Sequence, residues 1–224
     1  MTLMTSKKFV EKAIEISKMP TQYLMGGYGC RLCKDWYDKN YKWNKANAKK
    51  LEEKYNTVPI TFGFDCICLI KGILWGFEGV ANEPYGGAVY NRETDYTVER
   101  MMETCKDLST DFDTIQTGEL VFLGKSHAGI YIGDGEVIES TPAWKCCVQR
   151  TLLPSRNSTN YEKLPVRRWD THGHSSLIDY DTMDYRELEK AYKDLSEQYN
   201  LVEQQLFRLN GKIEKIRSVI IGED

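Results

Sequence analysis

Asp65-Cys66-Ile67-Cys68-Leu69-Ile70-Lys71-Gly72-Ile73-Leu74-Trp75 is a nearly unbroken apolar run opened by an acidic residue and a thiol. The apolar density from Asp65 to Phe77 exceeds what a surface helix carries, so the stretch predicts a helix buried on most sides. Asp65 is a good N-cap, which makes Cys66 the first helical residue. A thiol placed there lies at the positive end of the helix dipole, and a nearby imidazole would favour its thiolate further. Taken alone, Cys66 reads more readily as a buried structural thiol, because free cysteine is among the most buried residue types.

The chain has only three histidines to supply a base, His127, His172 and His174. His127 opens an apolar β segment, His127-Ala128-Gly129-Ile130-Tyr131-Ile132-Gly133, just after the polar turn Gly124-Lys125-Ser126. His172 and His174 lie in the Gly/Ser-rich stretch from Thr171 to Ser176, which reads as loop. By elimination His127 is the base candidate, although a lone strand histidine is more often structural. A base needs an orienting acceptor, and Glu139 lies on the next strand of a hairpin turned at Gly133-Asp134-Gly135, where paired strands bring side chains together. Read without the other two, Glu139 is a solvated strand residue.

Outside this centre, 224 residues suffice for one well-buried catalytic domain and an appendage. A formal net charge of −3 and a pI near 5.8 argue against a nucleic-acid partner. Residues 1–19 alternate charges with Phe9, Val10, Ala13, Ile14 and Ile16, which reads as an amphipathic helix. No signal peptide and no membrane-inserting run of about 18 apolar residues is found, so synthesis in the cytoplasm is expected. The seven cysteines then read as reduced thiols.

Tyr23-Leu24-Met25-Gly26-Gly27-Tyr28-Gly29 permits tight turning. The charged, aromatic segment from Asp35 to Tyr55 reads as helical, with Trp36, Tyr37, Trp43 and Leu51 available to pack, and residues 34–55 are a lid or insertion candidate. A short helix is expected from Thr97 to Cys105. Strands are expected over Glu119–Leu123, His127–Ile132 and Glu136–Ser140, with two more from Cys146 to Leu152 and Lys163 to Trp169.

Past Tyr180 the composition shifts to Glu, Lys, Gln and Leu. Leu188, Tyr192, Leu195, Tyr199, Val202, Leu206, Leu209, Ile213, Ile216 and Ile220 alternate steps of four and three, the pattern of a coiled-coil seam. The expected division is therefore a domain over residues 1–180 and a coiled-coil oligomerisation helix over 181–224, a rod roughly 50 Å long. A homo-oligomer through residues 188–220 is expected. Asn210-Gly211 is a weak point in the helix, but the apolar phase continues across it. The flanking charges Glu189, Glu203, Lys212 and Arg217 are too few to set helix orientation.

Tyr23-Leu24-Met25-Gly26-Gly27, Phe64-Asp65-Cys66, Gly118-Glu119-Leu120-Val121-Phe122 and His127-Ala128-Gly129-Ile130-Tyr131-Ile132-Gly133, in this order, resemble the NlpC/p60 family of papain-like peptidoglycan hydrolases, and most of all its phage and prophage endolysins. Val137-Ile138-Glu139-Ser140-Thr141-Pro142-Ala143-Trp144 supports the likeness, which spans about residues 20 to 180. The resemblance implies an α+β papain-like fold, a nucleophile helix packed on an antiparallel sheet that carries the base. It makes Cys66 the nucleophile, His127 the general base and Glu139 the third member. Tyr23, Asp65 and Trp144 would line the substrate site, and the Cys66 N–H would donate to the oxyanion. Two departures stand out: the family usually has Ser where this chain has Ile67, and often His where it has Glu139.

The implied activity is hydrolysis of an amide in the peptidoglycan stem, between D-glutamate and a diamino acid or between muramic acid and L-alanine. No metal or organic cofactor is required. Release from the host bacterial cytoplasm at lysis would bring the protein to the wall. Two other readings of the sequence stand beside it. Cys30-Arg31-Leu32-Cys33 has zinc-ligand spacing, with Cys146-Cys147 or His172 and His174 as partners, although a single C-x-x-C is weak evidence. A non-catalytic oligomeric wall-binding or structural module could also keep the hydrolase fold.

Overall fold

The computed structural model describes residues 3–154, 164–180 and 185–221. The chain divides into two compact units, Met1–Tyr180 and Asp181–Asp224. The first unit opens with β1 (Met4–Thr5), α1 (Ser6–Lys18), β2 (Thr21–Tyr23), β3 (Tyr28–Arg31), α2 (Lys34–Asn44), α3 (Ala48–Glu52) and β4 (Phe62–Phe64). It continues with α4 (Cys66–Leu74), α5 (Val98–Glu103), β5 (Cys105–Ser109), β6 (Leu120–Leu123), β7 (His127–Gly133), β8 (Glu136–Ser140), β9 (Val148–Leu152), β10 (Thr171–Ser175) and β11 (Ile178–Asp179). The second unit is α6 (Tyr185–Ile221), which runs through Asn210-Gly211 as one helix.

The main sheet is antiparallel, in the order β5-β10-β6-β7-β8-β9, and a smaller sheet runs β2-β4-β3. Alternation along the strands gives the main sheet two apolar faces. Leu120, Phe122, Ala128, Ile130 and Ile138 meet α1 and α4 in the main core. Val121, Tyr131 and Val137 pack with Ile115, Leu153 and Trp169 on the other side. Every residue of α4 from Cys66 to Ile73 is buried, as its composition predicts, and Ile67 packs in the main core. In α1, Phe9, Val10, Ala13 and Ile16 are buried and Ile14 packs partly.

Three expectations change. Thr171 to Ser175 is not loop but an inner strand, β10, between β5 and β6. Its Thr-His-Gly-His-Ser sequence lacks apolar alternation, and neighbouring strands, not local propensity, impose the extended form. Of the strand expected from Lys163 to Trp169, Lys163 lies outside the described residues, and the rest forms one parallel bridge, Leu152 to Val166. The helix expected to reach Cys105 stops at Glu103, and Cys105 begins β5.

The segment from Lys34 to Glu52 is helical in two pieces joined by a 3-10 turn at Lys45–Asn47. Tyr37 and Leu51 pack with Leu24, Cys30 and Leu32 in a small core of their own, whereas Trp43 is 64% exposed. The Trp36 side chain lies outside the described residues. Asn44 fixes this segment to the glycine loop, since its Oδ1 accepts from Met25 N–H at 2.8 Å and its Nδ2 donates to Met25 O at 3.3 Å.

Candidate active site

Asp65 accepts from Cys68 N–H at 2.7 Å through one carboxylate oxygen and from Gly26 N–H at 2.7 Å through the other. It is therefore the N-cap read from the sequence, and it also ties the glycine loop to the start of α4. Burial pushes its carboxyl above the ordinary range, against the pull of these N–H groups and of Lys71. Both oxygens are engaged within the protein, so Asp65 meets the site through its charge and its cap.

Cys66 Sγ lies at the rim of the sheet, where its thiol reaches Ser126 O at 3.9 Å. Burial, and then the Asp65 charge, push this thiol up to about 11, while the N–H groups of Ala128, Ile67 and Cys66 itself act to lower it. Ser126 and Ala128 flank His127, so the thiol rests against the main chain on both sides of that histidine. No hydrogen bond joins Sγ to the imidazole among the described residues. Contacts of this kind tighten when substrate binds.

His127 Nε2 lies 2.5 Å from Glu139 Oε2. Both residues fall on the sheet face opposite α4, and Glu139 is fully buried. The Nδ1 edge of His127 has no hydrogen-bond partner among the described residues and is the edge available to a thiol. Trp169 stacks on the imidazole at 5.4 Å between centroids and 8° between planes. Gly129 makes room for that indole: a Cβ there would lie 2.9 Å from Trp169 Cη2 and 2.7 Å from Val137 Cγ1. Ser140, beside Glu139, donates to Phe64 O at 2.7 Å and ties β8 to the strand that leads into Cys66.

Tyr23 is buried, and its phenol is pushed well above the ordinary range by desolvation and then by the proximity of Cys66, Asp65, Cys68 and Cys146. It therefore stays a hydroxyl beside the thiol. Trp144, half-exposed, lies under the guanidinium of Arg167 at 4.7 Å. His127 and Glu139 thus meet, Cys66 lies against the main chain beside His127, Tyr23 lies by Cys66, and Trp144 is tied to Glu139 through Arg167. That arginine donates from Nε to Glu139 Oε1 at 2.7 Å and was not singled out by sequence reasoning. Its partner is 28 positions away, and the neighbouring Arg168 looks the same in the sequence.

His172 is excluded as a base by its own bonds. Its Nδ1 lies 2.5 Å from Glu119 Oε2 and its Nε2 lies 2.9 Å from Asp111 O, leaving no free ring nitrogen. His174 Nε2 lies 3.5 Å from the other Glu119 oxygen. Among the described residues no three His, Cys, Asp or Glu side chains are grouped to hold a metal, so the zinc reading of Cys30 and Cys33 finds no ligand set. A cavity of about 710 Å³ bounded by Leu74, Trp75, Val89 and Tyr90 lies at the other end of α4 and holds no thiol or imidazole.

The model of the NlpC/P60 family matches residues 38–153, just over half of the chain, including Cys66, His127 and Glu139 but neither Tyr23 nor Arg167. No curated protein matches the chain. Among solved structures, the P60 domain of an antigen from M. avium subspecies paratuberculosis is similar at 18% identity and a TM-score of 0.39, covering 78% of this chain and 98% of that one. The chain belongs to the NlpC/P60 family, cysteine peptidases that act on peptidoglycan.

Proposed function

We propose that this protein is a phage-endolysin-type hydrolase that cleaves an amide bond of the peptidoglycan stem peptide with Cys66 as nucleophile, His127 as general base and Glu139 as orienting acceptor. The observation that carries the reading is the buried Glu139 carboxylate on His127 Nε2, which leaves Nδ1 for a thiol that lies against the main chain beside His127.

Because burial and Asp65 raise the thiol to about 11, the thiolate forms as the proton passes to His127 and not as a standing ion pair. Sγ attacks the amide carbon, and the proton moves to Nδ1. The oxyanion accepts from the Cys66 N–H at the helix start. The C–N bond breaks as His127 returns the proton to the leaving amine, giving a thioester. Water then attacks, His127 takes its proton, and the carboxylic acid leaves as the Cys66 thiol is restored. Tyr23 and Trp144 border the bound stem peptide, and Asp65 holds the Gly26 turn in place.

The bond cut lies between D-glutamate and a diamino acid or between muramic acid and L-alanine. Release at host lysis brings the protein from the cytoplasm to the wall. The α6 helix, whose Leu195, Tyr199, Val202, Leu206, Leu209, Ile213 and Ile216 are exposed, serves as a coiled-coil seam that gathers several heads on a polymeric substrate.

The test is digestion of purified Gram-positive peptidoglycan in reducing buffer with EDTA by the intact protein and by Cys66→Ala. New stem-peptide termini, read by mass spectrometry and made only by the intact protein, support the reading and name the bond. A panel of walls left intact would favour the rival, a non-catalytic wall-binding module.

A further inference from the structure

A carboxylate with no solvent exposure must have its charge matched inside the protein. Glu139 has one partner for each oxygen: His127 Nε2 at 2.5 Å on Oε2 and Arg167 Nε at 2.7 Å on Oε1. Arg167 is held as few surface arginines are. Its Nη2 donates to Thr141 Oγ1 at 3.1 Å, and its main-chain N–H donates to Leu152 O at 3.0 Å. Its guanidinium lies over the rings of Trp144 at 4.7 Å and Trp169 at 5.7 Å, and Trp169 is the ring stacked on His127. Arg168, next in sequence, is exposed.

We propose that Arg167 is a positioning residue that makes a glutamate workable as the third member of the triad: with the buried Glu139 it forms a neutral pair, so that a carboxylate orients His127 without adding net negative charge beside the nucleophile. The inference rests on the catalytic reading of Cys66, His127 and Glu139. Asp65 is the charge that acts first on the thiol, with Cys68 and Lys71 near its own helix and Tyr23 and Cys146 on the far side, while Glu139 and Arg167 reach it through His127, which follows the Ser126 carbonyl that the thiol meets. Without the guanidinium, two carboxylates, Asp65 and Glu139, would oppose the negative charge that Cys66 must acquire. The fork geometry lets one side chain meet Glu139 and Thr141 together, which a lysine ammonium at the same place matches only in charge.

The experiment is the pH dependence of Cys66 alkylation by iodoacetamide in the full chain, read by peptide mass spectrometry, for R167M, R167K, E139Q and the double variant E139Q/R167M. R167M is expected to move the midpoint up by about one pH unit, since it strips an opposite charge from the site. R167K should recover most of that shift, E139Q should move the midpoint down, and the double variant should return close to the parent because both charges are gone. If R167M fails to fold, as judged by circular dichroism, E139Q and the double variant carry the test. A parental midpoint for R167M, or a double variant shifted as far as R167M alone, would overturn the proposal. Alkylation needs no wall substrate, so a failure here is distinct from a failure to digest peptidoglycan.

Discussion

Asp65 does two opposing things to Cys66. It caps the helix whose free N–H groups favour a thiolate, and its own charge raises the thiol. Asp65→Asn removes the charge and keeps only one of the two acceptors, so alkylation of Cys66 should begin at lower pH, while stability falls by about 1–3 kcal/mol because either Gly26 N–H or Cys68 N–H loses its partner. A thermal melt read beside the alkylation profile separates the two effects, and an unchanged profile would remove Asp65 from the electrostatics of the site. Gly129→Ala should cost about 1–3 kcal/mol and loosen Trp169 from His127, since the added methyl meets Val137 and the indole together. Denaturant unfolding would measure the first effect, and a drop in wall hydrolysis beyond the loss of folded protein the second. The placement of Cys66 at a capped helix start and of His127 at a strand start was legible in the sequence because the signals are local: an acidic cap before an apolar run and a histidine opening a β run. Arg167 and Trp169 were not, because what distinguishes them is a contact with residues far along the chain.

Between strands the decisive contacts are polar and few. Ser140 Oγ joins β8 to Phe64 O, which also accepts from Leu24 N–H at 2.9 Å, so one carbonyl links the smaller sheet, whose β4 leads into α4, to the strand of Glu139. Because that carbonyl keeps a second partner, Ser140→Ala should cost only about 1 kcal/mol. His172 binds β10 to the buried Glu119, and His172→Ala would leave that carboxylate with its chief partner gone, at a cost of about 3–5 kcal/mol in urea unfolding. A loss under about 1 kcal/mol would mean that His174 or water takes over. The helices and the β6 to β9 meander follow from periodicity and the Gly133-Asp134-Gly135 turn. The strand β10 does not, since its hydrophilic sequence is buried by pairing with Glu119 and with strands on both sides.

The two compact units differ in what stabilises them. Met1–Tyr180 has its own cores on both faces of a sheet, whereas in α6 the described seam side chains are exposed, and Leu188, Tyr192 and Ile220 lie outside the described side chains. A single helix with such a stripe gains stability by pairing it. A chain ending at Tyr180 should therefore sediment as a monomer and lyse walls less well than the full chain. Equal sedimentation mass per chain for both would refute association through α6. Covalent catalysis by Cys66 is read by intact-protein mass spectrometry after acid quench of the protein mixed with a defined stem peptide. We expect a mass increase equal to the acyl fragment, mapped to Cys66 and absent from Cys66→Ala. Turnover that persists in Cys66→Ala, or an acyl group mapped to another residue, would contradict the account.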